Sequence, residues 1–533
     1  ADYFLGGRDA TWLAIGASIF ASNIGSEHLI GLAGAGASSG MAMAHWEIQG
    51  WMILILGWVF VPFYTRSMVY TMPEFLERRY NPQSRTILSV ISLVSYVLTK
   101  VAVTVYAGGL VFQQVFGIKE LWGIDFFWIA AIGLVVLTAL YTIFGGMKSV
   151  LYTSVLQTPI LLLGSLIILV LGFKELGGWD EMMRVCGAVT INDYGDTMTN
   201  LIRSNDDANF PWLGALIGSA IIGFWYWCTD QFIVQRVLSG KNEMEARRGT
   251  IFGAYLKLLP VFLFLIPGMI AFALHQKYIG AGGEGFLPML ENGTANADAA
   301  FPTLVAKLLP AGVKGLVVCG ILAALMSSLA SLFNSSAMLF TIDFYKRFRP
   351  QTSEKKLVGI GQVATVVIVI LGILWIPIMR SVGDVLYTYL QDVQSVLAPG
   401  IAAAFLLGIC WKRTSAQGGM WGLISGMVIG LTRLGAKVYY SNAGEVADST
   451  FKYLFYDMNW LFFCGWMFLF CIIVVIVVSL ATEAPTAEKI QGLVFGTATK
   501  EQKASTRASW NHWDIIHTVI ILAITGAFYW YFW

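Results

Sequence analysis

The chain has 533 residues, 57% of them hydrophobic and only 12% charged, with a formal net charge of +2. A soluble protein of this size carries about 25% charged residues, so a water-soluble globular fold is excluded, and no basic surface suited to nucleic acid stands out. The six cysteines, Cys186, Cys228, Cys319, Cys410, Cys464 and Cys471, lie mostly inside apolar runs and lack metal-ligand spacing, which argues against a disulfide framework.

Thirteen segments reach the ~20 apolar residues that a membrane span requires. They lie near 11–37, 42–64, 86–116, 124–142, 150–173, 211–238, 249–274, 311–345, 357–379, 384–410, 417–437, 459–482 and 512–533. The chain opens at Ala1-Asp2-Tyr3, without Met, just ahead of the first of these, so a preceding segment is expected. The expected fold class is an all-α membrane protein with about 13 transmembrane helices.

The first segment carries Ser22-Asn23-Ile24-Gly25-Ser26-Glu27-His28 in its middle, and the sixth carries Trp227-Cys228-Thr229-Asp230-Gln231. Lipid offers no hydrogen bonds, so backbone unwound at that depth survives only where it lines a cavity enclosed by protein. Paired breaks at matching places in two halves point to the binding site of an inverted-repeat secondary transporter. Segments 1–5 and 6–10 supply the two sets, and an odd number per set forces them into opposite topology. The expected division is a first inverted repeat at 1–175, an external loop at 176–210, a second repeat at 211–410 and peripheral helices at 411–533.

Basic residues orient the chain. Arg66, Arg78, Arg79 and Arg85 follow the second segment, and Lys241, Arg247 and Arg248 follow the sixth. Lys346, Arg347, Arg349, Lys355 and Lys356 follow the eighth. These alternate loops are assigned to the cytoplasm, which makes this a multi-pass protein of the plasma (inner) membrane. Its start is then cytoplasmic and Trp533 external. The stretches 176–210 and 275–310 fall outside, with the sequon Asn292-Gly293-Thr294, a triplet common enough to arise by chance.

A pocket for a small polar solute needs fixed donors and acceptors plus a flat apolar surface. Asn23 and His28 lie at the first break, Tyr226 and Trp227 at the second, and Glu47, Lys257 and Gln391 within the second, seventh and tenth segments. Ionisable residues inside a membrane are functional by default, although Glu47 or Lys257 alone could be a structural buried charge. Lys100, near the middle of the third segment, also needs a partner. Asp230 and Glu27 are the nearest candidates, and a Lys100–Asp230 pair shared with Glu27 would tie the breaks to a scaffold helix. The alternative is that Lys100 reaches into a water-filled vestibule.

The break residues Ala21 to His28 resemble the first broken helix of the sodium/glucose cotransporters, within the sodium:solute symporter family. Tyr141-Thr142-Ile143-Phe144-Gly145-Gly146-Met147 is similar to that family's signature at a helix end. So are Trp225 to Gln231, Tyr255-Leu256-Lys257 and Ser327-Ser328-Leu329-Ala330-Ser331-Leu332-Phe333-Asn334-Ser335. The resemblance runs over roughly residues 2–435. It implies the LeuT-type core of five plus five helices, with the first and sixth broken and three peripheral helices at the end.

The resemblance further implies that Asn23, His28, Glu47, Tyr226, Trp227, Lys257 and Gln391 contact the sugar. It puts Leu32, Trp46 and Tyr387 at an outer gate and Tyr226 at the inner one. Sodium needs hard oxygen ligands from half-helix carbonyls and hydroxyls. Ser327 and Ser328 are candidate hydroxyls, though paired helical serines also back-bond their own i−4 carbonyls. The carbonyls of Ala21, Ile24 and Ala324 complete the set that the resemblance implies. Members with a second sodium site carry an aspartate after the Gly-Gly signature. Here Ser154 stands in its place and Ala330 where a hydroxyl would help, so one sodium per sugar is expected.

The expected function is sodium-coupled symport of a monosaccharide of the glucose/galactose type by alternating access. The partners are then the sugar, Na+ and the bilayer. A sodium/myo-inositol or other polyol symporter is the alternative within the family, and a sugar-gated sensor or channel the alternative outside it. No nucleophile–base constellation is present, so an enzyme is not expected.

Overall fold

The computed structural model describes residues 6–25, 27–290, 293–380, 386–443 and 447–533. Ser26, Asn292 of the sequon, and the side chains of Tyr141, Ile143 to Met147 and Ser154 lie outside the described residues.

Apolar runs become helices because a bilayer leaves the backbone to satisfy itself. Among the described residues, ten helical stretches, from Glu27–Ser67 to His512–Tyr531, are long and apolar enough to cross a membrane. The expected thirteen segments differ from these ten in three places. Trp12–Asn23 and Phe126–Leu140 are shorter apolar helices. The third is Ala416–Asn442, a helix of 27 residues whose hydropathy is diluted by Arg433, Lys437 and a run of glycines. Those glycines are packing surfaces, since a methyl on Gly426 would lie 2.6 Å from the Cα of Gly400 on the neighbouring helix.

Phe126–Leu176 is helical over 51 residues, where two spans are expected. Both of its ends pack on the Ala311–Met338 helix. A methyl on Gly320 would lie 3.5 Å from the Ile160 carbonyl oxygen, and one on Gly108 would meet Leu134 and, at 3.7 Å, Leu325. Gly320 and Leu325 are only ~7.5 Å apart along their helix, whereas Leu134 and Ile160 would be ~39 Å apart along a straight one. The chain therefore doubles back between them and makes two spans.

Both breaks are present. The first helix, Trp12–Asn23, stops where Ile24 turns extended (φ −78, ψ 97), and helix resumes in the wider π form over Glu27–Leu32. The helix Trp212–Gly223 passes into a π segment, Phe224–Thr229, that ends at Asp230 (φ −76, ψ 129). Asp230 then caps the next helix, Gln231–Leu238, by accepting from the Phe232 N–H.

The two ends of the bundle are sealed by different chemistry. At one, Leu201 N–H donates to the Phe532 carbonyl (3.1 Å), and His45 contacts Tyr529 and the Leu201 carbonyl. This joins the 176–210 stretch to the end of the chain. At the other, buried Arg79 donates to the carbonyls of Gly408 and Thr414, and Arg85 pairs with Asp343 at 2.7 Å.

Lys100 is buried and sits 2.9 Å from Asp230 Oδ2, itself buried. The vestibule alternative for Lys100 does not hold. Tyr96 donates to the other carboxylate oxygen at 2.6 Å, and the Phe232 ring lies under the ammonium at 3.6 Å. The pair ties the third segment to the second break. Removing one partner of a buried pair strands the other in low dielectric, at a cost of ~3–5 kcal/mol. Lys100→Asn with Asp230→Asn should therefore be more stable in detergent than either single variant. A double-mutant cycle read by thermal melting should show non-additivity of ~0.5–3 kcal/mol, and additive losses would refute the coupling.

Candidate functional site

The two breaks face each other across a small cavity of about 40 Å³, room for a few waters and well under the ~300–1,000 Å³ usual for an open small-molecule site. Its wall includes Asn23, His28, Glu47, Tyr226, Trp227, Lys257 and Gln391. These are the seven residues expected to contact the sugar, drawn from five separate segments. All seven are buried, and none is more than 8% exposed.

Glu47 is the hub of the wall. Lys257 Nζ donates to its Oε2 at 2.5 Å, His28 Nε2 approaches the same oxygen at 3.1 Å, and Tyr387 Oη donates to Oε1. Lys257 also donates to Asn23 Oδ1 at 3.1 Å, and Asn23 Nδ2 donates to Tyr226 Oη at 3.1 Å. A charged pair is tolerated at this depth because neutral donors satisfy the remaining lone pairs. Tyr226 stands edge-on to Trp227, with ring centroids 4.9 Å apart, and its own face carries Lys100 Nζ at 4.5 Å.

Trp46 and Tyr387, expected at a gate, also line the cavity. Leu32, the third residue of that group, is fully buried one helical turn beyond His28 and is not part of the wall. Trp46 stacks on Trp460 of the Trp460–Ala481 helix at 5.4 Å.

Four polar wall residues were not expected to touch the solute. Gln394 lies one turn after Gln391 in one helix, a spacing of three that puts both on one face. Glu27 was expected only beside Lys100, yet it lines the cavity. Tyr387 was expected only as a gate, yet it hydrogen-bonds Glu47. Gln49 takes the Trp227 indole N–H at 3.3 Å and donates to the Ser219 carbonyl at 2.8 Å. It fits because Gly223 has no side chain, for a methyl there would lie 2.6 Å from Gln49 Oε1.

The expected sodium ligands gather where the Ala311–Met338 helix crosses the first break. Ser328 Oγ donates to the Ser22 carbonyl at 3.3 Å, and the Gly25 backbone runs directly against Ser328 with no room for a side chain. Ser327, Ala324, Ala21 and Ile24 are all buried. Ser331 back-bonds the Ser327 carbonyl at 2.8 Å and meets Ser22 Oγ at 2.7 Å. Among the described residues no cluster of three or more His, Cys, Asp and Glu could hold a metal ion.

Three comparisons bear on this site. A profile of the sodium:solute symporter family matches residues 3–426. The chain is 37% identical to human "Sodium/myo-inositol cotransporter 2" over 93% of its own length and 74% of the relative's. It is 38% identical to human "Sodium/myo-inositol cotransporter" over 92% and 71%. Among solved structures, a Na+-coupled sialic acid symporter in a substrate-bound outward-open state superposes with a TM-score of 0.70 at 22% identity, covering 91% of this chain and 93% of that one. Mhp1, a nucleobase-cation-symport-1 transporter, follows with 0.51 at 14% identity, over 95% and 98%. These likenesses show the LeuT-type fold, and with residues 3–426 matched the chain belongs to the sodium:solute symporter family, whose members couple a solute to sodium.

Proposed function

We propose that the chain is a symporter of a neutral polyol of the myo-inositol type, with hexoses of the glucose/galactose type as the second reading. The observation that carries this is the Glu47–Lys257 pair inside a wall of amide, imidazole, phenol and indole groups. Glu47 and Lys257 cancel each other, Glu27 is a further carboxylate of the wall, and no arginine stands among the described lining residues. Such a site disfavours an anion and rewards hydroxyls. The names of the relatives at 37–38% identity favour the inositol reading over the hexose one.

In this reading, sodium held by Ser327, Ser328 and the carbonyls of Ala21, Ile24 and Ala324 steadies the first break. The solute then binds Asn23, His28, Glu47, Trp227, Lys257 and Gln391, with Tyr226 beneath it. Trp46 and Tyr387 close above, and the Tyr226 side opens to the cytoplasm, which the basic alternate loops face. The repeats proposed at 1–175 and 211–410 each contribute residues to the wall. One sodium per solute is expected, because Ser154 stands where a second cation would want a carboxylate and Ala330 where it would want a hydroxyl. One charge crossing 100 mV is worth ~2.3 kcal/mol, enough for roughly fifty-fold accumulation before the sodium gradient is counted.

Uptake into proteoliposomes under an imposed sodium gradient tests this directly. Labelled myo-inositol should accumulate, and glucose, galactose and mannose should compete less well than unlabelled inositol. A hexose that outcompetes inositol would select the second reading, and uptake indifferent to sodium would defeat both. The reversal potential should report one charge per solute.

Lys257→Ala removes a donor from both Glu47 and Asn23. Truncating one partner of a buried hydrogen-bonded charge pair costs ~2–5 kcal/mol, so this variant should fail to transport at wild-type expression. Near-normal uptake would sink the site assignment.

Ser328→Ala removes a hydroxyl that faces the first break and does not line the cavity. Apparent sodium affinity should fall while solute affinity at saturating sodium holds. The opposite pattern would mean that the ion binds elsewhere.

A further inference from the structure

Among the described residues, three buried polar atoms of the cavity wall have no hydrogen-bond partner: His28 Nδ1, Gln391 Oε1 and Trp46 Nε1. A buried polar atom left unpaired is costly, so three of them around one cavity describe the outline of a hydrogen-bonding ligand. His28 and Gln391 already belong to the solute contacts proposed above. Trp46 does not, since a gate needs only an apolar ring.

Trp46 is held more firmly than a swinging gate requires. Its ring stacks on Trp460 at 5.4 Å and 22°, meets Phe210 edge-on at 6.0 Å, and is 4% exposed. Trp460 belongs to the peripheral Trp460–Ala481 helix, and Phe210 precedes the second broken helix. An indole fixed on two sides presents its N–H in one place, and an indole N–H can only donate.

We propose that Trp46 is a specificity residue that donates its indole N–H to one hydroxyl of the transported polyol, with Trp460 as the positioning residue that holds the donor in register. This rests on the polyol reading of the cavity. It also gives the peripheral helix a task in selection, because the stack on Trp460 brings that helix to the edge of the site.

The test is Trp46→Phe, which keeps a ring and removes only the N–H. KM is measured in proteoliposomes for whichever polyol the wild type takes up and for each of its monodeoxy analogues. A net hydrogen bond of ~0.5–1.5 kcal/mol predicts that the variant raises KM by roughly two- to tenfold for the parent polyol. The same rise is expected for every analogue that retains the partner hydroxyl. For the single analogue lacking it, variant and wild type should agree. Trp460→Ala, which frees the indole, should blunt the same analogue's distinction. If turnover of Trp46→Phe is too slow to follow, the same ratios are read as Kd by calorimetry on purified protein.

An equal ratio across all analogues would overturn the proposal, leaving Trp46 a gate whose N–H meets only water. A wild type that takes up no polyol would instead defeat the functional reading beneath it.

Discussion

A carboxylate inside a bilayer has to be satisfied by protein, and in this molecule that carboxylate is Glu47. Its two oxygens receive Lys257, His28 and Tyr387, which come from three other segments of the chain. No one of those segments can move relative to Glu47 without exchanging a bond, because the medium supplies no substitute. A polar group of a bound solute can supply one. The geometry that makes the charge tolerable is therefore also the geometry that lets a solute compete for it, which is how a transporter can make helix movement depend on its cargo.

A second buried pair lies beside the first. Lys100 and Asp230 join the third segment to the second break, with Tyr96 on the far carboxylate oxygen. Tyr226 belongs to both clusters, since its hydroxyl accepts from Asn23 and its ring carries Lys100 at 4.5 Å. One aromatic ring thus separates the solute wall from the scaffold pair. A displacement of Tyr226 disturbs both at once, a physical reason for a residue at this place to report the state of one cluster to the other.

What was legible in the sequence is what lipid makes expensive. Breaks in apolar runs, Glu47, Lys257, Lys100 and Asp230 stand out because each carries a cost that only a specific partner removes. The seven wall residues followed from those breaks with the family's motifs laid over them. What was not legible depends on three-dimensional reach. Leu32 shares a helix with His28 yet falls one turn outside the wall. The span from Phe126 to Leu176 reads as two segments by hydropathy and is recorded as unbroken helix, and only its packing on both Gly320 and Leu325 reveals the reversal. The π turns at Glu27–Leu32, Tyr96–Val101 and Phe224–Thr229 hold His28, Lys100 and Tyr226. Such widened turns cluster at functional sites, but nothing in a hydropathy pattern announces them.

The same limit explains why family membership and solute identity separate so sharply. Membership rests on motifs that are local, such as the serines at 327 and 328 against the first break. Solute identity rests on which polar atoms reach the cavity, and that depends on residues distant in sequence. Gln49 enters the wall because Gly223, more than a hundred and seventy residues later, has no Cβ to exclude it. Once there, Gln49 fixes Trp227 through the indole N–H, so a missing methyl on one helix sets the orientation of an aromatic face. An alanine at Gly223 would leave the fold's motifs intact and displace that amide. Selection between similar solutes turns on changes of this size, in which one polar group separates a satisfied site from one with a stranded donor.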